Sequence, residues 1–241
     1  MNRGDWSGQS SSYPSGELEA LRQSPNYYGW LLRHFLPCLG ERVLEVGAGV
    51  GTVADYVLQN TRVPELVLVE PADNLFPFLH ERFSGDSRVK LVHGQLADVA
   101  ASLVSVDSVV AVNVLEHVAD DRALLRTINR VLLPGGVVLL FVPALPWLYG
   151  TLDDSFQHVR RYTKRELAGR LEETGFRVER LHYFNCLGVA AWFVAGKILR
   201  RKTIRISDAR SYDRWIVPLA SRLESHWTPP FGQSLVAVAR K

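Results

Sequence analysis

Three glycines, Gly47, Gly49 and Gly51, follow the apolar run Val43-Leu44-Glu45-Val46, and the chain then resumes with helical spacing. Such glycines remove side chains where the backbone must turn tightly and let a ligand approach the main chain. Their register is GxGxG; a dinucleotide fingerprint needs GxGxxG, and here Thr52 stands three residues after Gly49. Glu45 is the more discriminating residue, a carboxylate inside an apolar segment two residues before the first glycine. It would repel a diphosphate and suits a ligand carrying an ammonium or sulfonium group. Glu70 ends the next apolar run, roughly 20 residues beyond the turn, where an acid commonly takes the hydroxyls of an adenosine ribose.

Two histidines, His117 and His158, stand where loops would overhang that turn, and histidine is the usual base near neutral pH. Residues 153–162 gather Asp153, Asp154, His158, Arg160, Arg161 and Tyr162. As a site, either aspartate orients His158, an arginine holds an anionic acceptor, and Tyr162 donates a hydrogen bond. As a fastening, the arginines pair with the aspartates and fix the loop to the following helix, which suits Arg161 and Tyr162. Both readings stand open for His158, and His117 serves equally as a cofactor-side packing residue. Tyr28, Arg160, Tyr162 and Trp192 are the candidate acceptor contacts, although aromatic residues also simply build lid cores.

The elements that must position these groups alternate from Arg42 onward. Residues 42–47, 65–70, 88–94, 107–114, 135–144, 176–185 and 233–241 read as strands; 52–60, 74–84, 121–133 and 163–175 read as helices. The piece 96–103 is a plausible crossover helix, and Thr163 with Glu166 forms a capping box. Strands apolar at nearly every residue, separated by helices, indicate a parallel sheet covered on both faces, which binds ligands beyond the carboxyl ends of its strands. Residues 1–15 read as a flexible Gly/Ser-rich tail and 16–40 as N-terminal helices; 186–231 is too long for a plain connection and reads as a cap insertion. From 16 to 241 a single domain is expected.

The 241 residues carry a net charge of +3, with basic and acidic residues interleaved, and show no basic stripe of the kind that tracks nucleic acid. Cys38 and Cys186 lie far apart, without CxxC or a His/Cys cluster at metal spacing, so neither a disulfide framework nor a metal site is expected. A reduced, cytoplasmic setting fits, with no secretory leader. The apolar run 186–196 is too short to span a bilayer. Next to Lys197, Arg200, Arg201 and Lys202 it can rest on an anionic membrane surface through 186–202, or form a lid helix or a dimer contact.

The ordered motifs VLEVGAGVG, LVLVEP, DSVVAVNVLEHV and VLLPGGVVLLFVP resemble the Rossmann-like S-adenosylmethionine-dependent methyltransferases over residues 42 to about 183 and 233 to 241. The loop after the fifth strand resembles a subgroup carrying a His-x-Arg-Arg-Tyr element, here His158 to Tyr162. The resemblance implies a seven-stranded, mostly parallel α/β sheet with an antiparallel last strand and helices on both faces. It also implies S-adenosylmethionine as cofactor. Gly47, Ala48, Gly49 and Gly51 would line its methionine part with Glu45 near the ammonium, Glu70 would grip the ribose, and Pro71 would shape the adenine side with Ala72. Gln95, beside Leu96, stands where the family usually has an acid for the adenine amino group; its amide oxygen can still accept that bond. Asn113 and Val114 would back the cofactor, with Leu115, and Glu116 and His117 would lie on the loop facing the methyl group.

The expected activity is methyl transfer to a small-molecule or lipid-like acceptor, at oxygen, with carbon or nitrogen open, by a monomer or homodimer. Two alternatives remain from the residues: a protein that binds the same cofactor without methylating, and an NAD-dependent oxidoreductase, which Glu45 and the glycine register oppose.

Overall fold

The computed structural model describes residues 22–241. The expected tail, and the start of the N-terminal helical segment, lie outside these residues. The apolar runs form β1 (Arg42–Val46), β2 (Glu65–Glu70), β3 (Val89–His93), β4 (Val106–Val112), β5 (Leu132–Pro143), β6 (Arg177–Phe184) and β7 (Ser234–Arg240). They pair in the order β3-β2-β1-β4-β5-β7-β6, and only β7 runs antiparallel to its neighbours. β1, β2, β4 and β7 are buried along nearly their whole length, as strands covered on both faces must be. The edge strands β3 and β6 instead expose charged side chains such as Lys90, Arg177 and Arg180, which discourages pairing with another chain.

Helices α1 (Pro25–Leu32), α2 (Thr52–Asn60) and α3 (Phe76–Phe83) cover one face, burying Leu31, Val57 and Leu79. The other face is covered by α5 (Asp121–Val131) and α7 (Lys164–Glu173), which bury Leu125, Ile128, Leu167 and Leu171; the short α4 (Leu96–Val99) packs beside α5. α5 starts where the Asp120 carboxylate accepts the Ala123 amide at 2.9 Å. α7 starts at the expected box, in which Thr163 Oγ1 accepts from the Glu166 amide and Glu166 Oε2 from the Thr163 amide. A one-turn helix, α6 (Thr151–Ser155), lies between β5 and α7.

Strand order reverses between β1 and β4, so their carboxyl ends open a crevice. Two boundaries depart from expectation. β4 stops at Val112 because Asn113 takes a left-handed turn (φ 53°), and β5 begins at Leu132, ahead of its two glycines.

Between β6 and β7 the chain folds into α8 (Cys186–Trp192), a wider π-helical stretch (Phe193–Ile198), α9 (Ile206–Ser211), a second π-helical stretch (Tyr212–Ile216) and α10 (Val217–Glu224). This cap is fastened to α1. Ser24 makes no side-chain cap for α1, and the Asp213 carboxylate takes over, accepting the Tyr27 amide at 2.8 Å and the Asn26 amide at 3.2 Å. A carboxylate there satisfies otherwise unpaired amides and complements the helix dipole. Among the described residues no helix is long and apolar enough to cross a membrane.

Candidate active site

The turn after β1 passes through left-handed backbone at all three glycines, with φ of 70°, 57° and 78° at Gly47, Gly49 and Gly51. A side chain at Gly47 would meet Val114 Cγ2 at 2.9 Å, so two crevice walls touch only because this position is bare. Gly51 differs from its expected role: it does not line the crevice, and a side chain there would run into the Phe83 ring and Leu79 of α3. Its bareness serves the packing of α2 on α3.

The crevice continues into a cavity of about 1460 Å³, larger than the ~300–1,000 Å³ of ordinary small-molecule pockets. Glu45, Gly47, Ala48 and Gly49 line its base; Glu70, Pro71, Gln95 and Leu96 line one side; Asn113 and Val114 line the back. Asn113 is held in its left-handed turn by donating its amide to Phe141 O at 2.8 Å.

The two acids are treated differently. Glu70 accepts the Gly49 amide at 2.7 Å on one oxygen and the Ala72 amide at 2.8 Å on the other. Burial raises its pKa against the pull of these bonds, and each oxygen keeps a lone pair for a ligand hydroxyl. Glu45 is 4% exposed, and its Oε2 has no hydrogen-bond partner. Burial and the neighbouring Glu70 push its pKa well above the carboxylate range. A buried, unpaired carboxyl oxygen is costly, and a cationic group in the cavity would relieve it.

Across the cavity stands a second cluster. His158 Nδ1 lies 2.8 Å from Asp153 Oδ1, which also accepts from Arg161 Nε at 2.7 Å. Asp153 Oδ2 accepts the Gly150 amide at 3.0 Å and Trp192 Nε1 at 3.3 Å. Burial acts to raise the Asp153 pKa, but His158 and Arg161 outweigh it and hold the group below its usual range. An anionic acceptor at that distance selects the tautomer with its proton on Nδ1 and its lone pair on Nε2. Of the two aspartates considered, Asp153 therefore orients the ring; Asp154 instead accepts from the Tyr149 hydroxyl at 3.0 Å.

His117 and His158 both line the cavity, their rings edge to face at 4.9 Å between centroids. Burial, with His158 alongside, pushes the His117 pKa down to about 3, so that ring is neutral. Glu116 does not line the cavity. It is fully buried, its Oε1 is 4.0 Å from His158 Nε2, and burial pushes its pKa up to about 8. Glu116 stands on the loop expected from the sequence, but the short 3₁₀ turn Leu115–His117 aims its side chain away from the cavity and that of His117 into it.

Two of the expected acceptor contacts are also corrected. Arg160 Nη1 donates to Asp121 Oδ2 at 2.8 Å and Nη2 to Ala119 O at 2.6 Å. Tyr162, 1% exposed, donates its hydroxyl to the same Asp121 oxygen at 2.8 Å. Neither lines the cavity; with Arg170 they tie the loop to α5 through Asp121. Asp121 escaped the sequence reading because nothing local links it to residues some 40 positions later. Tyr28 and Trp192 do line the cavity, with the Arg161 guanidinium 4.9 Å over the Trp192 ring.

A mostly parallel sheet whose order reverses at β1 and β4, a glycine turn and two crevice acids define a Rossmann-like protein built for an adenosine-bearing ligand. The chain belongs to the methyltransferase-domain family, whose sequence model matches residues 21–181. It is 33% identical over 156 residues, 64% of its length, to a Mycolicibacterium smegmatis protein named as a probable S-adenosylmethionine-dependent methyltransferase. It is 31% identical over 163 residues, 58% of its length, to the ubiquinone biosynthesis O-methyltransferase of Xanthomonas axonopodis. The matches span 59% and 64% of those relatives. A crystal structure of a SAM-dependent methyltransferase from Archaeoglobus fulgidus superposes with a TM-score of 0.59 at 19% identity, over 91% of this chain and 94% of that one.

S-Adenosylmethionine fits the residues present. The unpartnered Glu45 oxygen answers its ammonium, and the bare Gly47 leaves room against Val114.

Proposed function

We propose that this chain transfers a methyl group from S-adenosylmethionine to a hydroxyl oxygen of a small, amphiphilic acceptor. The observation that carries the reading is the Asp153-oriented His158, which faces the same cavity as the unpaired Glu45. When bound, S-adenosylmethionine supplies an electrophilic methyl group on a cationic sulfur. The Glu45 carboxylate would hold its ammonium, Glu70 would accept from the ribose hydroxyls, and the Gln95 amide oxygen would accept from the adenine amino group.

His158 Nε2 takes the proton of the acceptor hydroxyl, and Asp153 stabilises the resulting imidazolium through Nδ1. Neutral His117 packs against His158 and holds its face. Residues 186–231 act as the lid over this chemistry, excluding water. The His158-to-Tyr162 element supports a place in the subgroup that carries such a signature, with the arginines as fasteners. The size of the cavity supports an amphiphilic acceptor bound beside the cofactor, and the likeness to a ubiquinone biosynthesis O-methyltransferase supports oxygen as the methylated atom.

The first test is calorimetric titration with S-adenosylhomocysteine beside NAD, followed by transfer of labelled methyl to phenolic and lipid hydroxyl acceptors. Micromolar binding of S-adenosylhomocysteine alone, with label on an ether oxygen, is expected. Binding of NAD alone, or label appearing only on carbon or nitrogen, would overturn the reading.

A further inference from the structure

We propose that the cap docks the protein on an anionic lipid bilayer through residues 193–206, presenting the cavity to an acceptor that resides in the membrane. The proposal rests on the amphiphilic acceptor inferred above, and its physical basis lies in the surface chemistry of the cap.

Between Lys197 and Ile206 the chain reads KILRRKTIRI, with five cations and no acid. Arg201 is taken up by Asp208, whereas among the described residues no ion pair engages Lys197, Arg200, Lys202 or Arg205. Interleaved with them are large apolar side chains turned to solvent: Ile198 is 61% exposed, Leu199 54% and Ile206 40%. Phe193 and Trp147, the latter 57% exposed, extend the patch, their rings 6.1 Å apart. Uncompensated cations among exposed aliphatic and aromatic side chains match the headgroup boundary of an anionic membrane, where charge and apolar contact add.

The charge pattern selects this occupant over a second copy of the chain. A two-fold contact would set the same four cations against themselves, which repels. The same segment also forms the cavity wall, to which Val194, Leu199, Thr203 and Ile204 contribute. One stretch of chain thus faces solvent with cations and apolar groups and, apart from Arg201 and Thr203, faces the cavity with apolar ones. An amphiphile could pass from bilayer to cavity along it without its apolar tail crossing water.

The test is co-sedimentation of the whole protein with phosphatidylcholine vesicles, with and without about 30% phosphatidylserine, at low and high salt. The expected result is binding to the anionic vesicles only, weakened by salt. The triple substitution Lys197→Glu, Arg200→Glu, Lys202→Glu should reduce it by at least 100-fold, on a scale of about fivefold per cation removed. Trp147→Ala should weaken binding several-fold through lost apolar contact. None of these residues belongs to the cofactor or proton-transfer machinery, so S-adenosylhomocysteine affinity should stay unchanged and reports that each variant is folded. Equal binding to neutral vesicles, undiminished binding of the triple variant, or a dimer disrupted by the triple substitution with no vesicle binding would overturn the proposal. Vesicle binding without methyl transfer to any lipid hydroxyl would sink the acceptor reading and leave the docking surface standing; transfer without vesicle binding would do the reverse.

Discussion

The Asp153 carboxylate of α6 and the His158 ring meet at 2.8 Å, and Arg161 and the cap residue Trp192 donate to the same acid. One buried anion therefore sets both the tautomer of the histidine and the position of the lid residue above it.

His158→Gln should lower the turnover number by about 10²–10⁴-fold, the range for loss of a positioned base. S-Adenosylhomocysteine affinity should change by no more than about twofold. Steady-state kinetics beside calorimetry checks both; full turnover in the variant would return His158 to a structural role.

Cofactor affinity should depend on pH through Glu45. Its pKa is raised by burial and by Glu70, so below that value the carboxyl is neutral and attracts an ammonium poorly. Affinity should climb by up to about tenfold per pH unit as the group ionises and level off above. Glu45→Gln should flatten the climb and weaken binding at the plateau by about 10-fold or more. Titrations from the ordinary carboxylate range upward measure this, and an unchanged slope in the variant would remove Glu45 from the ammonium site.

Glu116 should make the fold less stable in alkali. Its folded-state pKa, about 8, lies above the unfolded value, so its contribution is complete below the unfolded pKa and is lost as pH rises through 8. The loss is on the order of a few kcal/mol. Glu116→Gln should abolish most of it, so that urea unfolding at pH 6 and pH 9 gives closer midpoints than in the parent chain. Parallel pH dependence in both proteins would show that Glu116 is already paired and charged.

Tyr162→Phe should cost about 1–2 kcal/mol of stability, because it strips a buried hydrogen bond from Asp121. The Michaelis constant for the acceptor should be unaffected. A raised constant at full stability would restore Tyr162 to the acceptor site.

The sheet was readable because its signals are local. β2 and α2 begin and end where apolar runs and polar flanks place them, and the Thr163–Glu166 box marks the start of α7. The acids of the crevice were readable for the same reason: Glu45 and Glu70 take their places from strand register, which the hydrophobic pattern fixes. The loop after β5 was not. Arg160 and Tyr162 turn away from the cavity towards Asp121, a partner on a helix from another part of the chain. Nor does any local pattern show that Asn113 ends β4 in a left-handed turn, since a Val-Asn-Val stretch extends a strand equally well. Gly51 misled because the same turn serves both a ligand and a neighbouring helix.

The clasp between Asp213 and α1 fixes an order of events during synthesis. The glycine turn, both crevice acids and six of the seven strands leave the ribosome before the carboxylate that receives the Tyr27 amide, 186 residues downstream. Until then α1 lacks the carboxylate that accepts the Asn26 and Tyr27 amides, and packing such as its contact with α2, where the Tyr56 ring stacks on Tyr28, must hold it over the crevice. A nascent chain stopped short of Asp213 therefore carries the cofactor floor under a roof not yet clasped, accessible to water and to any passing chaperone.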